Sequence, residues 1–287
     1  MSFHPPNSYE RLVERDCSMY VRSDRRALLQ RNGLVHFEDF VQSDAGELVN
    51  AHPSRQVFRL ELRGEDSALA VFLKRSGPIE GKEALFDLLK FRRVRTKATR
   101  EFAMLCAFRE GGLTVPEVLA CGERHVLGRD RASLLVVEAL PSGRALGDVL
   151  AEHGPTDGRK KLLHALARFV RALHDGGFTH ADLFAKHVFA SQAENGDWSF
   201  AVIDLQRARH SRVVSPAHRA RDLAALMVSV HPDATSLGER LRFLREYLGK
   251  TKLEPGDRHF LKKVLSRARK LSRRTVYRAW QPVLEGV

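Results

Sequence analysis

Several features are scarce or missing in this 287-residue chain. It has three cysteines, which are too few and too scattered for a disulfide framework or a zinc site: Cys17, Cys106 and Cys121. No stretch is apolar for the roughly 18 residues that a membrane-spanning helix needs, so we expect no such helix. Residues 1–6 lack the basic and then apolar pattern of a secretory signal, and none is expected. These absences are typical of a protein of the reducing cytosol.

Acidic residues are outnumbered in the chain. There are 48 lysines and arginines against 35 aspartates and glutamates, a formal net charge of +13. A surface this basic attracts polyanions such as nucleic acid, anionic lipid headgroups or phosphorylated substrates, and charge alone does not choose among them. The length allows one large domain or two lobes with a full core.

The first half of the chain predicts a strand pair that ends in a lysine. Residues 1–45 carry little readable pattern, and we interpret them as an N-terminal extension. The segment 56–63, in which apolar and polar residues alternate from Phe58 onward, and the apolar run 68–73 predict an antiparallel hairpin. Lys74 follows the second strand. A lysine at this position either reaches phosphate oxygens in a cleft or lies in solvent.

A strongly basic segment follows at residues 81–100, with seven basic residues against two acidic ones. It is typical either of a segment that binds membrane surfaces or polyanions, or of a solvated helix with one buried face. Residues 100–110 are predicted to form a helix that ends at two glycines. Glu101 would then lie in the first turn, where the helix dipole favours an acidic residue.

The second half is predicted to be mainly helical. A strand is expected over 134–138, ending in Glu138, and the Pro-Ser-Gly sequence at 141–143 predicts a lobe boundary near residue 140. The final segment has nine basic residues and no acidic one between Arg258 and Trp280. Apolar residues at helical spacing predict four helices, at about 160–174, 219–230, 237–248 and 257–280.

Two aspartates stand at the ends of apolar stretches in this half. Asp182 belongs to a His-Ala-Asp loop, and Asp204 follows Val202-Ile203, 22 positions later. That separation allows a short hairpin to bring both carboxylates to one pocket. Phosphoryl transfer uses such a pair, because one carboxylate orients the attacking hydroxyl and the other holds magnesium at the nucleotide phosphates. The alternative is two unrelated aspartates, one in a surface loop and one at a strand end.

The order of these parts resembles the protein-kinase-like fold. The motifs at residues 180–189 and 202–208 are similar to those of the lipopolysaccharide kinases of Gram-negative bacteria, the heptose and Kdo kinases of the inner core. The likeness covers about residues 50–250. It implies an α+β, bilobal fold with an antiparallel sheet and one helix in the N-lobe, residues 46–140. The C-lobe, residues 141–287, would be mainly helical and end in a basic helix.

The resemblance also implies roles for matched residues of the C-lobe. Asp182 would be the catalytic base or the group that orients the hydroxyl, and Asp204 would bind magnesium. His187 stands where protein kinases have an asparagine. Because magnesium prefers oxygen ligands, we expect His187 to form hydrogen bonds at the nucleotide site and not to ligate the metal. Asp222 would brace the backbone of the catalytic loop.

In the N-lobe, the resemblance implies that Lys74 binds the nucleotide phosphates and is held by Glu101, and that Glu138 is also a nucleotide-binding residue. The chain departs from protein kinases in three respects. No Gly-x-Gly-x-x-Gly precedes Lys74, Ala181 replaces the arginine of His-Arg-Asp, and neither Phe-Gly nor Ala-Pro-Glu follows Asp204. We therefore expect no activation by loop phosphorylation and no peptide substrate.

The function implied is transfer of phosphate from ATP, with magnesium, to a heptose or Kdo hydroxyl of the lipopolysaccharide inner core. This glycolipid is anionic, so we expect a cytoplasmic enzyme that lies peripherally on the inner membrane, docked by residues 82–100 and 258–278, with no nucleic-acid partner. One alternative is another kinase of this fold, although the cationic aminoglycosides suit a +13 chain poorly. Another is a non-catalytic basic module that binds membranes or nucleic acid.

Overall fold

The computed structural model describes residues 5–52, 54–77, 96–126, 129–140, 142–152, 154 and 157–285. The chain divides into two compact units. The first comprises Met1–Arg109 and Pro116–Leu140, and the second comprises Glu110–Val115 and Pro141–Val287. One division thus falls between Leu140 and Pro141, beside the boundary that the sequence predicted.

The first unit is built on an antiparallel sheet of seven strands. They are β1 (Tyr9–Glu14), β2 (Cys17–Arg22), β3 (Glu47–His52), β4 (Arg55–Arg63), β5 (Ala68–Ser76), β6 (Val118–Val126) and β7 (Arg129–Glu138). Their order in the sheet is β1-β2-β6-β7-β5-β4-β3. The predicted hairpin is confirmed, since β4 and β5 pair in antiparallel register with Leu60 opposite Val71.

The predicted N-terminal extension supplies strands and helices to this unit. Residues of β1 and β2 belong to the sheet, and two short helices follow them, α1 (Arg26–Arg31) and α2 (Phe37–Gln42). Phe37 and Phe40 are fully buried in the same core as Leu73 of β5. The sequence pattern does not indicate these strands and helices, because charged residues interrupt every short apolar run in this segment. With α3 (Lys97–Glu110), the described part of the unit has three helices where one was predicted.

The core of the first unit positions Lys74. Val71 and Leu73 on β5 are buried with Leu60 on β4 and Val136 on β7. Fully burying each such side chain contributes about 1.5–3 kcal/mol. Side chains alternate along a strand, so Lys74 lies on the face opposite Leu73. The core side chains thus fix the strand that carries the lysine.

The second unit is mainly helical, as predicted. Its helices are α4 (Leu146–Glu152), α5 (Asp157–Asp175), α6 (Pro216–Ser229), α7 (Leu237–Leu248), α8 (Pro255–Ser272) and α9 (Gln281–Glu285). Helix α7 has a capping box at Ser236 and Glu239 and ends at Gly249 in the left-handed conformation. In the described part of the chain, no helix is long and apolar enough to cross a membrane.

The last predicted helix, 257–280, is shorter than expected. Helix α8 ends at Ser272, and a 3-10 turn, Thr275–Trp280, leads to α9. Trp280 is buried, and its indole N–H donates to the carbonyl oxygen of Val230 over 2.7 Å. Burial and this hydrogen bond hold Trp280 against the unit.

Short strands frame the two aspartate loops. They are β8 (Arg144–Ala145), β9 (Phe178–His180), β10 (Val188–Gln192), β11 (Trp198–Val202) and β12 (Ala208–His210). Strands β10 and β11 form the hairpin that the spacing of the aspartates predicted. Strand β12 returns beside β9, with Ala208 opposite His180. Both loops therefore begin and end on paired strands.

Candidate active site

Lys74 and Glu101 form a buried ion pair in the first unit, as the resemblance implied. The Lys74 ammonium, Nζ, contacts Glu101 Oε1 although the residues are 27 positions apart. The Glu101 side chain is 3% exposed and that of Lys74 13%. The guanidinium of Arg55 lies 3.6 Å from the other glutamate oxygen, Oε2. Two cations thus compensate a carboxylate that is largely removed from water.

The structural reason for Glu101 differs from the one predicted. Helix α3 begins at Lys97, so Glu101 lies in its second turn, beyond the strongest influence of the helix dipole. The first turn has no acidic residue. The ion pairs with Lys74 and Arg55 therefore compensate the burial of this glutamate. Most of the basic segment 81–100 lies outside the described residues.

Glu138 is the last residue of β7. Its backbone N–H donates to the carbonyl oxygen of Glu117 over 2.8 Å. Its carboxylate lies 3.7 Å from the Arg25 guanidinium. These contacts fix Glu138 at the end of the strand, and its assignment to nucleotide binding stays a prediction.

His180 connects the two aspartate loops of the second unit. Its ring nitrogen Nε2 lies 3.0 Å from the carbonyl oxygen of Ile203, the residue before Asp204. Its other ring nitrogen, Nδ1, accepts from the backbone N–H of Asp182 over 3.3 Å. Burial lowers the pKa of His180. The geometry fits a neutral ring whose proton is on Nε2, donated to Ile203.

Asp204 has an unusual backbone conformation. With φ 60° and ψ 59°, it is the sole non-glycine residue with positive φ in the described ranges. Aspartate adopts the left-handed region more readily than most residues, at a cost of about 1–2 kcal/mol. The conformation turns the chain from β11 into the short 3-10 helix Leu205–Arg207. Gln206 donates from its amide to Asp204 Oδ1 over 3.1 Å.

His187 contacts both aspartates. Its Nδ1 lies 2.8 Å from the backbone carbonyl of Asp182, and its Nε2 lies 3.8 Å from Asp204 Oδ2. The backbone carbonyl of His187 accepts from the N–H of Ile203 over 3.0 Å. Since Nδ1 faces a carbonyl oxygen, it carries the proton, and Nε2 is the atom left to face Asp204. One histidine thus joins the two aspartate loops, and a shared pocket for both carboxylates stays a prediction.

Asp222 braces this arrangement from α6, as the resemblance implied. Its carboxylate is fully buried and accepts the backbone N–H of His180 over 2.7 Å. Arg221 donates to its other oxygen over 2.7 Å. His174 Nε2 lies 3.4 Å from the same carboxylate. Asp222 is therefore a structural support for the Asp182 loop.

Sequence reasoning missed two residues that contact the Asp182 loop. Arg207 donates from Nη1 to Asp182 Oδ1 over 2.7 Å. The Tyr277 ring, from the C-terminal turn, stacks on Phe184 with centroids 5.5 Å apart. A signal for Arg207 was present in the second motif, which ends in Gln-Arg-Ala. Tyr277 had none, because that segment was predicted to continue a helix.

Comparison with known proteins identifies the family. The sequence model of the lipopolysaccharide kinase (Kdo/WaaP) family matches residues 81–247, more than half of the chain. The chain belongs to this family. It is therefore a kinase, consistent with the kinase-type pair and the two aspartate loops.

Curated relatives share moderate identity over most of their length. The chain is 28% identical over 211 residues to the lipopolysaccharide core heptose(I) kinase WaaP of Escherichia coli K12, covering 71% of this chain and 78% of that protein. It is 27% identical over 223 residues to the protein of the same name from Pseudomonas aeruginosa, covering 75% and 81%.

A solved structure of WaaP in complex with acyl carrier protein supports the fold. It matches with a TM-score of 0.66 and 22% identity, over 88% of this chain and 98% of that chain. The predicted α+β, kinase-like fold is thereby confirmed.

Proposed function

We propose that this kinase transfers the terminal phosphate of ATP, with magnesium, to a heptose or Kdo hydroxyl of the lipopolysaccharide inner core. The observation that carries the proposal is the histidine network. His180 contacts the backbone of both loops, and His187 contacts the backbone carbonyl of Asp182 and the carboxylate of Asp204. The two histidines thus hold both aspartates in one network, in which Asp182 would serve an acceptor hydroxyl and Asp204 would serve a metal.

The residues around Asp204 fit a magnesium ion. Magnesium binds through one or two carboxylates and completes its shell with water and phosphate oxygens, so it needs no cluster of protein ligands. In the described residues, no group of three or more His, Cys, Asp or Glu side chains is arranged to hold a metal. Asp204, 33% exposed, would supply the carboxylate. Bound there, magnesium would offset charge on the phosphates during transfer.

The other residues take roles that match their contacts. Asp182 would accept or orient the proton of the attacking hydroxyl, and His187 would position both aspartates by hydrogen bonding. Lys74, fixed by Glu101, would bind nucleotide phosphates, and Glu138 would contact the nucleotide.

The direct test measures ATP turnover against magnesium concentration, with phosphate-free inner-core lipopolysaccharide as acceptor and mass analysis of the product. We expect the glycan to gain one phosphate. Asp204→Asn tolerates the left-handed backbone but removes the charge, so kcat/KM for ATP should fall roughly 100-fold, about 2.7 kcal/mol. Turnover by Asp204→Asn at the wild-type rate and magnesium requirement would exclude the proposed metal site.

We also propose that the basic C-terminal helix docks on anionic membrane at the cytoplasmic face. The solvent-facing side of α8 presents exposed lysines and arginines, including Lys262 and Lys263. Each basic residue near such a surface contributes about 1 kcal/mol. Lys262→Glu/Lys263→Glu should reduce pull-down by phosphatidylglycerol vesicles at low salt, whereas the matched pair Lys160→Glu/Lys161→Glu on α5 should not. Equal loss in both variants would mean that only net charge matters.

Association with an acyl carrier protein is a further proposal, taken from the complex that matches the fold. The second unit has an apolar cavity of about 220 Å³, with Leu237 and Trp280 in its lining. Such a cavity suits an acyl chain. Leu237 is 76% exposed, so Leu237→Glu should weaken binding of acylated carrier protein without unfolding the unit. Val213, equally exposed but not in the lining, provides the control Val213→Glu.

A further inference from the structure

Arg207 contacts the proposed catalytic base from 25 positions further along the chain. Its side chain is 69% exposed, whereas that of Asp182 is 18% exposed. An ion pair with so much contact with water contributes at most about 1 kcal/mol to folding. Stability is therefore a weak reason for an arginine at this position.

The contact between Arg207 and Asp182 occupies one carboxylate oxygen of the proposed catalytic base. Arg207 donates to Asp182 Oδ1, and no other described side chain hydrogen-bonds this carboxylate. A guanidinium has five N–H donors in a planar fork, so Arg207 keeps donors for a second anion while it touches Asp182. That geometry suits an acceptor with an acidic group close to its reacting hydroxyl.

A second basic element lies beside the same loop. Tyr277 of the turn Thr275–Trp280 stacks on Phe184, with ring planes 19° apart. Burial raises the pKa of Tyr277, and the charges of Arg274 and Asp182 act on it in opposite directions. The backbone N–H of Tyr277 also donates to the carbonyl oxygen of Arg274 over 2.9 Å, so the two residues are close in the same turn. Arg274 itself is exposed.

The turn is anchored independently of the loop it contacts. Trp280 is 2% exposed and donates to the carbonyl oxygen of Val230. The Arg240 guanidinium lies 4.5 Å from the centroid of its ring. These contacts keep Tyr277 and Arg274 next to the Asp182 loop, so they can act as a preformed surface.

We propose that Arg207 binds an acidic group of the acceptor, a carboxylate or a phosphate, and so places the neighbouring hydroxyl at Asp182, with Arg274 and Tyr277 as flanking acceptor contacts. This inference rests on the proposed function, because it assigns the acceptor side of the same reaction. Arg207 would thus determine acceptor specificity, because it binds the substrate and does not transfer the proton.

The experiment pairs variants with altered acceptors. The acceptor is deacylated inner-core oligosaccharide, which removes membrane binding from the assay, in untreated, carboxyl-reduced and dephosphorylated forms. Steady-state kinetics give KM for each form and KM for ATP. Arg207→Gln removes the charge and Arg207→Lys keeps it without the fork. Arg171→Gln, which removes another exposed arginine–aspartate pair of the unit, is the matched control.

For the wild type, removing the recognised anion should raise the acceptor KM roughly 10- to 100-fold, as expected for a charge-assisted hydrogen bond. The form that loses affinity identifies the anion as carboxylate or phosphate. Arg207→Gln should raise KM for the untreated acceptor by a similar factor and show no further rise with the altered forms. Arg207→Lys should be intermediate, and KM for ATP should stay within about twofold in each variant.

Two results would overturn the inference while leaving the proposed function intact. One is a wild-type enzyme that uses all three forms equally well. The other is Arg207→Gln raising KM by one common factor for every form, because Arg207 would then act on the loop and not on the substrate. Transfer by the wild type to none of the forms would instead reject this acceptor class and the proposed function with it. Arg274→Gln tests the flanking contact, which would be wrong if the acceptor KM did not change.

Discussion

The two units hold their functional side chains in different ways. In the first unit, opposite charges meet directly, and burial of Glu101 makes its contact with Lys74 necessary. In the second unit, Asp182 and Asp204 are more exposed, and their loops are positioned through the neutral ring of His180, the ring of His187 and backbone carbonyls. The first arrangement depends on charge compensation, and the second on backbone geometry.

This difference predicts different responses to substitution. A buried ion pair is costly to break but can be replaced as a whole by apolar side chains at little cost in stability. A loop held by backbone hydrogen bonds should tolerate loss of a carboxylate charge and keep its shape. The first unit should therefore lose stability when one charge is removed, whereas the second should lose activity alone.

The largest effect is expected for Asp182→Asn. General base catalysis contributes about 10²–10⁴-fold, so kcat should fall by that factor. Binding of ATP, measured by calorimetry, should change less than about twofold, because Asp182 is assigned to the acceptor. Asp175→Asn removes another exposed carboxylate that pairs with arginine and should leave kcat unchanged. A stable Asp182→Asn protein with near-normal kcat would remove Asp182 from the mechanism.

Next in size is the loss of stability for Glu101→Gln. The change leaves Lys74 without its carboxylate at a site that is only 13% exposed. Urea unfolding should show a loss of roughly 1–3 kcal/mol, below the 3–5 kcal/mol of a fully buried pair. The double variant Lys74→Met/Glu101→Leu should recover most of this stability and remain inactive. If the double variant is no more stable than Glu101→Gln, charge compensation is not what governs the first unit.

Many of the functional side chains of both units could be predicted from the sequence. The residues that could not be predicted were missed for a physical reason. Lys74 and Asp204 follow apolar strands, and Asp182 belongs to a His-Ala-Asp motif, so apolar runs and the family resemblance located them. Arg207 and Tyr277 act through tertiary contacts that have no periodic signal. Helix α8 ends at Ser272, and the helix prediction continued past it to Trp280.

A smaller loss of activity is expected for His187→Asn, which tests whether the second unit depends on backbone geometry. The asparagine amide can still donate to the carbonyl of Asp182, so the loop should keep its position. We expect kcat to fall less than about tenfold, with an unchanged magnesium requirement, because imidazole is a poor magnesium ligand. His187→Ala should lose more, since it has no donor. A tenfold shift in the magnesium requirement of His187→Ala, which supplies no ligand atom, would indicate that His187 acts on the metal.

The smallest effect concerns the pH dependence of stability. Burial lowers the pKa of His180, so the unfolded state takes up this proton first as the pH falls. The contribution of the neutral ring is complete above the unfolded pKa of about 6.5 and is lost below it, by at most about 1.4 kcal/mol per pH unit. The second unit should thus become less stable between pH 7.5 and pH 5.5.

Glutamine does not titrate, so the stability difference between the wild type and His180→Gln should shrink over this range. His259→Gln, at an exposed position on α8, is the control for losing any histidine. If the stability difference between the wild type and His180→Gln is constant or grows at low pH, His180 becomes charged in the folded protein. Charge compensation would then operate in both units, and the contrast between them would be lost.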